Sequence, residues 1–385
     1  MSNRPRLLVL AVACILFFGI GLFSATGPVL PDLARNTGSS LAEVGLLFSA
    51  LFAGSVAMQI MSGHLTERFG TRCVLLVGSV IMAVGVFGVT LSPSLPVAVL
   101  FMLVAGLGDG SAIVVANVLV VESFNSRRLA ALNLANVFFG LGAIAGPALA
   151  AYSLQMWQTA IPAFWALSVI VLLPLPLIAI MRFPEQASKA TDAGPKISLY
   201  RSPLLWLFGG LLLIYVGTEI GIGGWGASFL TLTTSLDAPA AALVLSAFWI
   251  AFTSGRLLAA FISTICPPHL LLAGALAGTL IGVLLLLLAS GSSVVTIGAL
   301  LLIALCLGPI FPTVVGITTV LFEESAARAA AAVIVVGSVG GLILPWLQGV
   351  LLVGFGPLVY LLFLLLCVLL MLGLYGAIRL FYTER

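Results

Sequence analysis

The chain has 385 residues, 62% of them hydrophobic and 7% charged, with a net charge of +3 and a mean hydropathy of +1.29. That composition excludes a soluble globular protein and also an extracellular domain on a short anchor. The small positive balance reports loop charge in a membrane protein and does not mark a nucleic-acid partner.

Crossing a bilayer takes about 20 apolar residues per helix. The apolar segments are continuous and do not alternate, which predicts helices and not a β-barrel. The breaks place twelve spans near 7–30, 41–63, 73–92, 96–121, 129–153, 159–181, 203–231, 240–264, 269–289, 293–321, 328–353 and 356–380. Glycine and proline within them are compatible with membrane helices. The first stretch is too long for a cleaved leader, and its removal would upset the even number of spans. With the N-terminus inside, Arg4, Arg6, Arg68, Arg72, Arg127, Arg128, Arg182, Lys189, Lys196, Arg201, Arg328, Arg379 and Arg385 all fall on the cytoplasmic side. Arg35 alone falls outside and Arg256 lies within span 8, so the bias toward inside places both termini in the cytoplasm. The expected location is the inner membrane, with a monomer as the expected state.

The longest connection, 183–201, carries Pro184, Glu185, Lys189, Asp192, Pro195 and Lys196 and reads as a cytoplasmic linker. It separates an N-terminal half, 1–182, from a C-terminal half, 202–385. Ser49-Ala50-Leu51-Phe52 answers Ser246-Ala247-Phe248-Trp249, and Gly142 to Pro147 answers Gly340 to Pro345, at nearly one offset. This spacing suggests a parallel duplication, two six-helix halves around a midplane site. Cys14, Cys73, Cys266, Cys306 and Cys367 are scattered, with no CxxC pair, and read as apolar thiols with no metal or disulfide role.

The loop after span 2 reads Gly63-His64-Leu65-Thr66-Glu67-Arg68-Phe69-Gly70-Thr71-Arg72. It resembles the signature loop of the major facilitator superfamily, G-x-L-a-D-r-x-G-r-[RK], with Glu67 in the place normally held by Asp. The resemblance implies a gate, in which Gly63, Glu67, Arg68, Gly70 and Arg72 supply two discrete loop arrangements. A simple charged loop is the alternative reading.

Further motifs follow in order. Leu132-Asn133-Leu134-Ala135-Asn136 precedes Phe139-Gly140-Leu141-Gly142-Ala143, and Tyr215-Val216-Gly217-Thr218-Glu219 leads to Gly223-Gly224-Trp225. Phe248-Trp249 and Gly255-Arg256-Leu257 lie in span 8, Pro309-Ile310-Phe311-Pro312-Thr313 in span 10, and Gly340-Gly341 with Leu344-Pro345-Trp346 in span 11. In order and placement the set resembles the fucose:proton symporters and related sugar-permease-like proteins. That group carries an acid four residues before a Leu-Pro-like pair in its first span and another four before an Asn in its fourth. Here Gly27 and Ile113 stand at those positions, so the group's proton relay does not carry over. Asp109, one turn before Ile113, is the candidate replacement.

Asp109 and Glu219 are nearly lone carboxylates within long apolar stretches, where an acid is costly and usually faces a polar path. Each reads as an ion-coupling site for a proton or sodium, or as a structural acid bonded to a neighbouring helix. The glycines Gly221, Gly223, Gly224 and Gly226 after Glu219 are expected to let span 7 bend or unwind. Asn133 and Asn136 share a face, and with Asn117 and Gln348 they are amides suited to sugar hydroxyls or to interhelical bonds. Tyr215, Trp225 and Trp249 complete the candidate substrate contacts, with Gln59 and Phe311 weaker; Trp225 reads equally as an interface anchor. Arg256 must be paired if buried, and a cytoplasmic latch with Glu323 or Glu324 is expected.

Nothing resembles an ATP-binding loop, a metal cluster or a nucleophile–base set, so neither an enzyme nor a cofactor is expected. The sequence predicts an all-α membrane protein that moves a small polar solute, a monosaccharide by preference, with a coupling proton or sodium ion. The alternative is proton-coupled efflux of lipophilic compounds, suggested by Gly142-Ala-Ile-Ala-Gly146-Pro147, which resembles the antiporter motif G-x-x-x-G-P-x-x-G-G except at Ala150 and Ala151. A third class, a receptor or lipid-flipping relative, requires the amides to be structural.

Overall fold

The computed structural model describes residues 3–124, 128–181, 199–289 and 292–383. The predicted linker lies outside the described residues apart from 199–201, as do Arg127, Arg182, Lys189, Lys196 and Arg385. All regular structure among the described residues is helical. The first membrane stretch comprises α1 (Asn3–Gly21), a 3-10 turn (Leu22–Ala25) and α2 (Thr26–Thr37). A short α3 (Leu41–Val44) precedes α4 (Leu46–Thr90), α5 (Leu95–Phe124), α6 (Arg128–Trp157), α7 (Ile161–Leu172) and α8 (Leu175–Ile180). The second series is α9 (Pro203–Thr233), α10 (Ala238–Ile262), α11 (Pro268–Leu288), α12 (Ser293–Leu307), α13 (Ile310–Leu321), α14 (Ala326–Phe355) and α15 (Pro357–Thr383).

Eleven helical stretches among the described residues are long and apolar enough to cross a bilayer, and one of them runs from Leu41 to Thr90. A straight helix of that length would be about 75 Å, more than twice the hydrocarbon thickness. It is two crossings, because Gly70 sits at φ 81° and ψ 150° and turns the chain back. The packing against α5 shows the reversal. Gly106 and Gly110 lie on the backbone of Leu51 and Ser55, so the first limb of α4 advances with α5. Gly108 lies on Gly78 and Met82 whereas Phe101 lies on Gly88, so the second limb runs against it. Counted this way the spans are the predicted twelve.

Besides the break at Gly45 between α3 and α4, three spans are interrupted among the described residues: the first at Leu22–Ala25, the sixth between α7 and α8, and the tenth between α12 and α13. Proline explains these three, since Pro28, Pro174 and Pro309 cannot donate to the carbonyl four residues back. The expected unwinding of span 7 does not occur, for α9 is continuous from Pro203 to Thr233. Its glycines instead admit side chains: Leu344 against Gly217, Gln348 against Gly221 and Trp249 against Gly223.

Contacts divide the chain into two compact units, Met1–Lys189 with Ala238–Ser246, and Ala190–Asp237 with Ala247–Arg385. In the first, α4 packs most extensively on α5; in the second, α9 packs most extensively on α14. The glycines of the Gly142–Pro147 stretch seat α6 against the first span: Gly142 meets the Phe18 backbone, and Gly146 meets Ser24, whose hydroxyl donates to the Ala143 carbonyl at 2.8 Å.

Candidate functional site

In the first unit the candidate coupling acid, Asp109, is held at a three-helix junction. Ser55 and Gln59 are four residues apart on one face of α4 and both point toward α5. The Ser55 hydroxyl donates to Asp109 Oδ2 at 2.7 Å, and Gln59 Nε2 donates to Ser55 Oγ at 3.0 Å. Asp109 is buried, with 7% of its surface exposed. Its flanking glycines face different limbs, Gly110 toward Ser55 and Gly108 toward Gly78 and Met82. A larger residue at Gly110 would separate the helices that make the hydrogen bond, and one at Gly108 would push α5 off the second limb. Gln59, a weak substrate candidate in the sequence, thus becomes a support for the acid.

The other candidates in this unit behave differently. Asn117 Nδ2 donates to the Ile113 carbonyl at 2.7 Å and Asn136 Nδ2 to the Leu132 carbonyl at 2.9 Å, each one turn back on its own helix. Asn133 is exposed. In the signature segment, Gly70 supplies the left-handed conformation that ends the first limb. Arg68 lies 5.2 Å from the Phe69 ring centroid, while Glu67 and Arg72 are exposed, as is Gly63.

The second unit concentrates its polar groups between α9 and α10. Tyr215, Glu219 and Gly223 recur at intervals of four and so line one face of α9. Across from them α10 presents Trp249, Phe252 and Arg256, with the rings of Trp249 and Phe252 5.2 Å apart. Glu219 is 7% exposed and feels the charge of Arg256, and the Tyr215 hydroxyl lies beside both. Trp249 Nε1 is buried without a hydrogen-bond partner. Phe311 closes the far side, its ring centroid 6.3 Å from that of Tyr215. The arrangement offers one carboxylate, one guanidinium, one phenol hydroxyl and one unsatisfied indole N–H beside aromatic rings.

Arg256 corrects an expectation. Its Nε donates to the Gly308 carbonyl at 3.3 Å and its guanidinium carbon lies 4.5 Å from the Phe252 ring centroid. These contacts, with Glu219 as its opposing charge, hold the half-buried Arg256 toward α9 and the break between α12 and α13, and not at a latch with Glu323 or Glu324. Trp225 also departs from both of its readings. It is fully buried, its Nε1 donates to the Pro345 carbonyl at 2.7 Å, and its ring occupies the space a side chain at Gly349 would need. A ring so enclosed neither stacks on a solute nor anchors at an interface. Gln348 is likewise fully buried and donates from Nε2 to the Gly217 carbonyl at 2.9 Å, so its amide locks α14 to α9.

One buried acid escaped sequence reasoning. Asp32 accepts hydrogen bonds from Thr159 Oγ1 at 2.9 Å and the Ala160 amide at 2.5 Å, and it pairs with Arg35. Ala160 is the N-cap of α7, where a carboxylate compensates unpaired amides and the helix dipole. The signal was Arg35 three residues after Asp32, just beyond an apolar run.

Two compact units of long apolar helices, with charged groups held among them, define a polytopic membrane protein. The family model described as the Major Facilitator Superfamily matches residues 12–229, more than half of the chain, and the chain belongs to that superfamily of transporters. A TsgA homolog of Erwinia tasmaniensis is 27% identical over 290 residues, which cover 73% of this chain and 72% of that protein. A sodium-dependent glucose transporter 1 of Xenopus laevis is 24% identical over 302 residues, 71% of this chain and 61% of its own. Among solved structures, a bacterial homolog of the human lysosomal transporter Spinster superposes with a TM-score of 0.79 at 14% identity, covering 98% of this chain and 96% of that one. The transporter FucP superposes with a TM-score of 0.65 at 20% identity, covering 97% and 99%. These structural likenesses establish the fold alone.

Proposed function

We propose that the chain is a secondary carrier for a small polar solute, a monosaccharide by preference, driven by protons or sodium through Glu219 and Asp109. The observation that carries this reading is the grouping of buried Glu219 and Tyr215 with half-buried Arg256, with Trp249 one helical turn on at Gly223 and its indole N–H buried without a partner. A buried O–H or N–H without a partner costs about 1–3 kcal/mol, and a solute hydroxyl bound there would remove that cost. Trp249, Phe252 and Phe311 supply apolar faces of the kind that pack against the C–H side of a sugar ring. The sodium-dependent glucose transporter among the relatives agrees with a sugar and an ion as the paired cargo.

Coupling follows from linkage. Loading an ion at a carboxylate alters the relative stability of states that face opposite sides of the membrane, provided the ion binds those states unequally. The test is counterflow in proteoliposomes loaded with unlabelled glucose, fucose or galactose, with a radioactive trace of the same sugar outside. Transient accumulation that is lost in Tyr215→Phe but persists in Glu219→Gln supports the reading. No accumulation from folded, reconstituted protein would reject a sugar and favour efflux of lipophilic compounds.

A further inference from the structure

A second binding place lies apart from the polar cluster, at the start of α9 and α14. A cavity of about 390 Å³ opens between Tyr200, Trp206 and the first turns of α14. Arg328 stands at one end, and Ala331, Val335 and Val336 continue inward along one face of α14. The groove is therefore charged at its mouth and apolar along its length. Val336 at its inner end rests on Gly209, so the floor is the seam of α9 and α14. Tyr200 and Trp206 are about half exposed, at 49% and 51%, and the Trp206 indole is fixed by donating to the Tyr200 carbonyl at 2.8 Å. Exposed amphipathic rings beside a basic residue are typical of the boundary between headgroups and acyl chains. Arg201, exposed and next to Tyr200, adds a second positive charge at the same end.

We propose that this groove binds one anionic phospholipid, its phosphate at Arg328 and an acyl chain along Ala331, Val335 and Val336. Charge complementarity selects the headgroup, because basic positions at the arginine-rich face of a membrane protein attract anionic lipids. The length of apolar floor inward from Arg328 selects an amphiphile over a free phosphate. The site is separate from the solute cluster, since no residue is shared between them.

The test uses the full chain in phosphatidylcholine nanodiscs, titrated with phosphatidylglycerol or phosphatidylcholine brominated on the acyl chain, with tryptophan fluorescence as readout. Brominated phosphatidylglycerol should quench with about fivefold higher apparent affinity, the equivalent of about 1 kcal/mol for one basic residue. The excess should vanish in Trp206→Phe, which removes the reporter, and in Arg328→Gln, and it should persist in Arg328→Lys. Equal quenching by the two lipids, or an excess that survives Trp206→Phe or Arg328→Gln, would overturn the proposal. So would absence of quenching by either lipid, which points to another occupant, such as a second copy or the chain's own linker.

Discussion

Two carboxylates that look alike in the sequence sit in different company. Asp109 accepts from Ser55, which in turn accepts from Gln59. Glu219 has an opposing charge in Arg256 and the Tyr215 hydroxyl as a hydrogen-bonding neighbour. The difference separates their expected variants. Glu219→Gln should abolish uphill uptake and spare solute exchange, measured as accumulation against counterflow; uphill uptake at the wild-type rate would remove Glu219 from coupling. Ser55→Ala removes one hydrogen bond to a buried acid, a loss of about 1–3 kcal/mol. It should lower the melting temperature in detergent, and Ser55→Thr, which keeps the hydroxyl, should restore it. The acids were legible in the sequence because an isolated charge in an apolar run is conspicuous. Their supports were not, since serine, glutamine and tyrosine are ordinary residues in membrane helices. Trp225 was misread for a related reason: a tryptophan near a helix end has the same sequence signature whether it packs inward or faces headgroups.

Glycines decide how the helices approach. A methyl group at Gly110 would overlap the Ser55 carbonyl, whereas one at Gly63 would meet nothing within 4 Å. Gly110→Val should therefore displace α5 from α4 and break the Ser55–Asp109 bond, giving protein that aggregates on size-exclusion chromatography. Gly63→Ala should fold normally, so any loss of transport there would reflect gating and not packing. Gly70 is a third case, since its φ of 81° strains any L-residue by about 1–3 kcal/mol while leaving the helices free to touch. The two six-span halves could be read from the apolar pattern, and so could the turn at Gly70 from the signature loop. Whether the glycines after Glu219 would loosen α9 or tighten it could not, because that depends on the partners Leu344, Gln348 and Trp249 far away in sequence.

At the scale of the molecule, charge placement predicts which end faces the cytoplasm. Asn36, in the last turn of α2 beside Arg35, and His64, in the segment before Gly70, are both exposed. The first span separates Asn36 from the N-terminus, and one further limb separates His64 from Asn36, so the two residues belong on opposite faces of the membrane. The positive-inside bias assigns His64, with Arg68 and Arg72, to the cytoplasm and Asn36 to the outside. In a background with the five native cysteines replaced, Asn36→Cys in intact cells should react with a membrane-impermeant maleimide. His64→Cys should react only after permeabilisation. The reverse pattern would invert the orientation without disturbing the fold, and it would move the Arg328 groove to the outer leaflet. Labelling of both from outside would contradict a crossing by the first limb of α4. The pair of sites therefore tests the direction of insertion and the crossing by the first limb of α4 in one experiment, since only an odd number of crossings between residues 36 and 64 can put them on opposite sides.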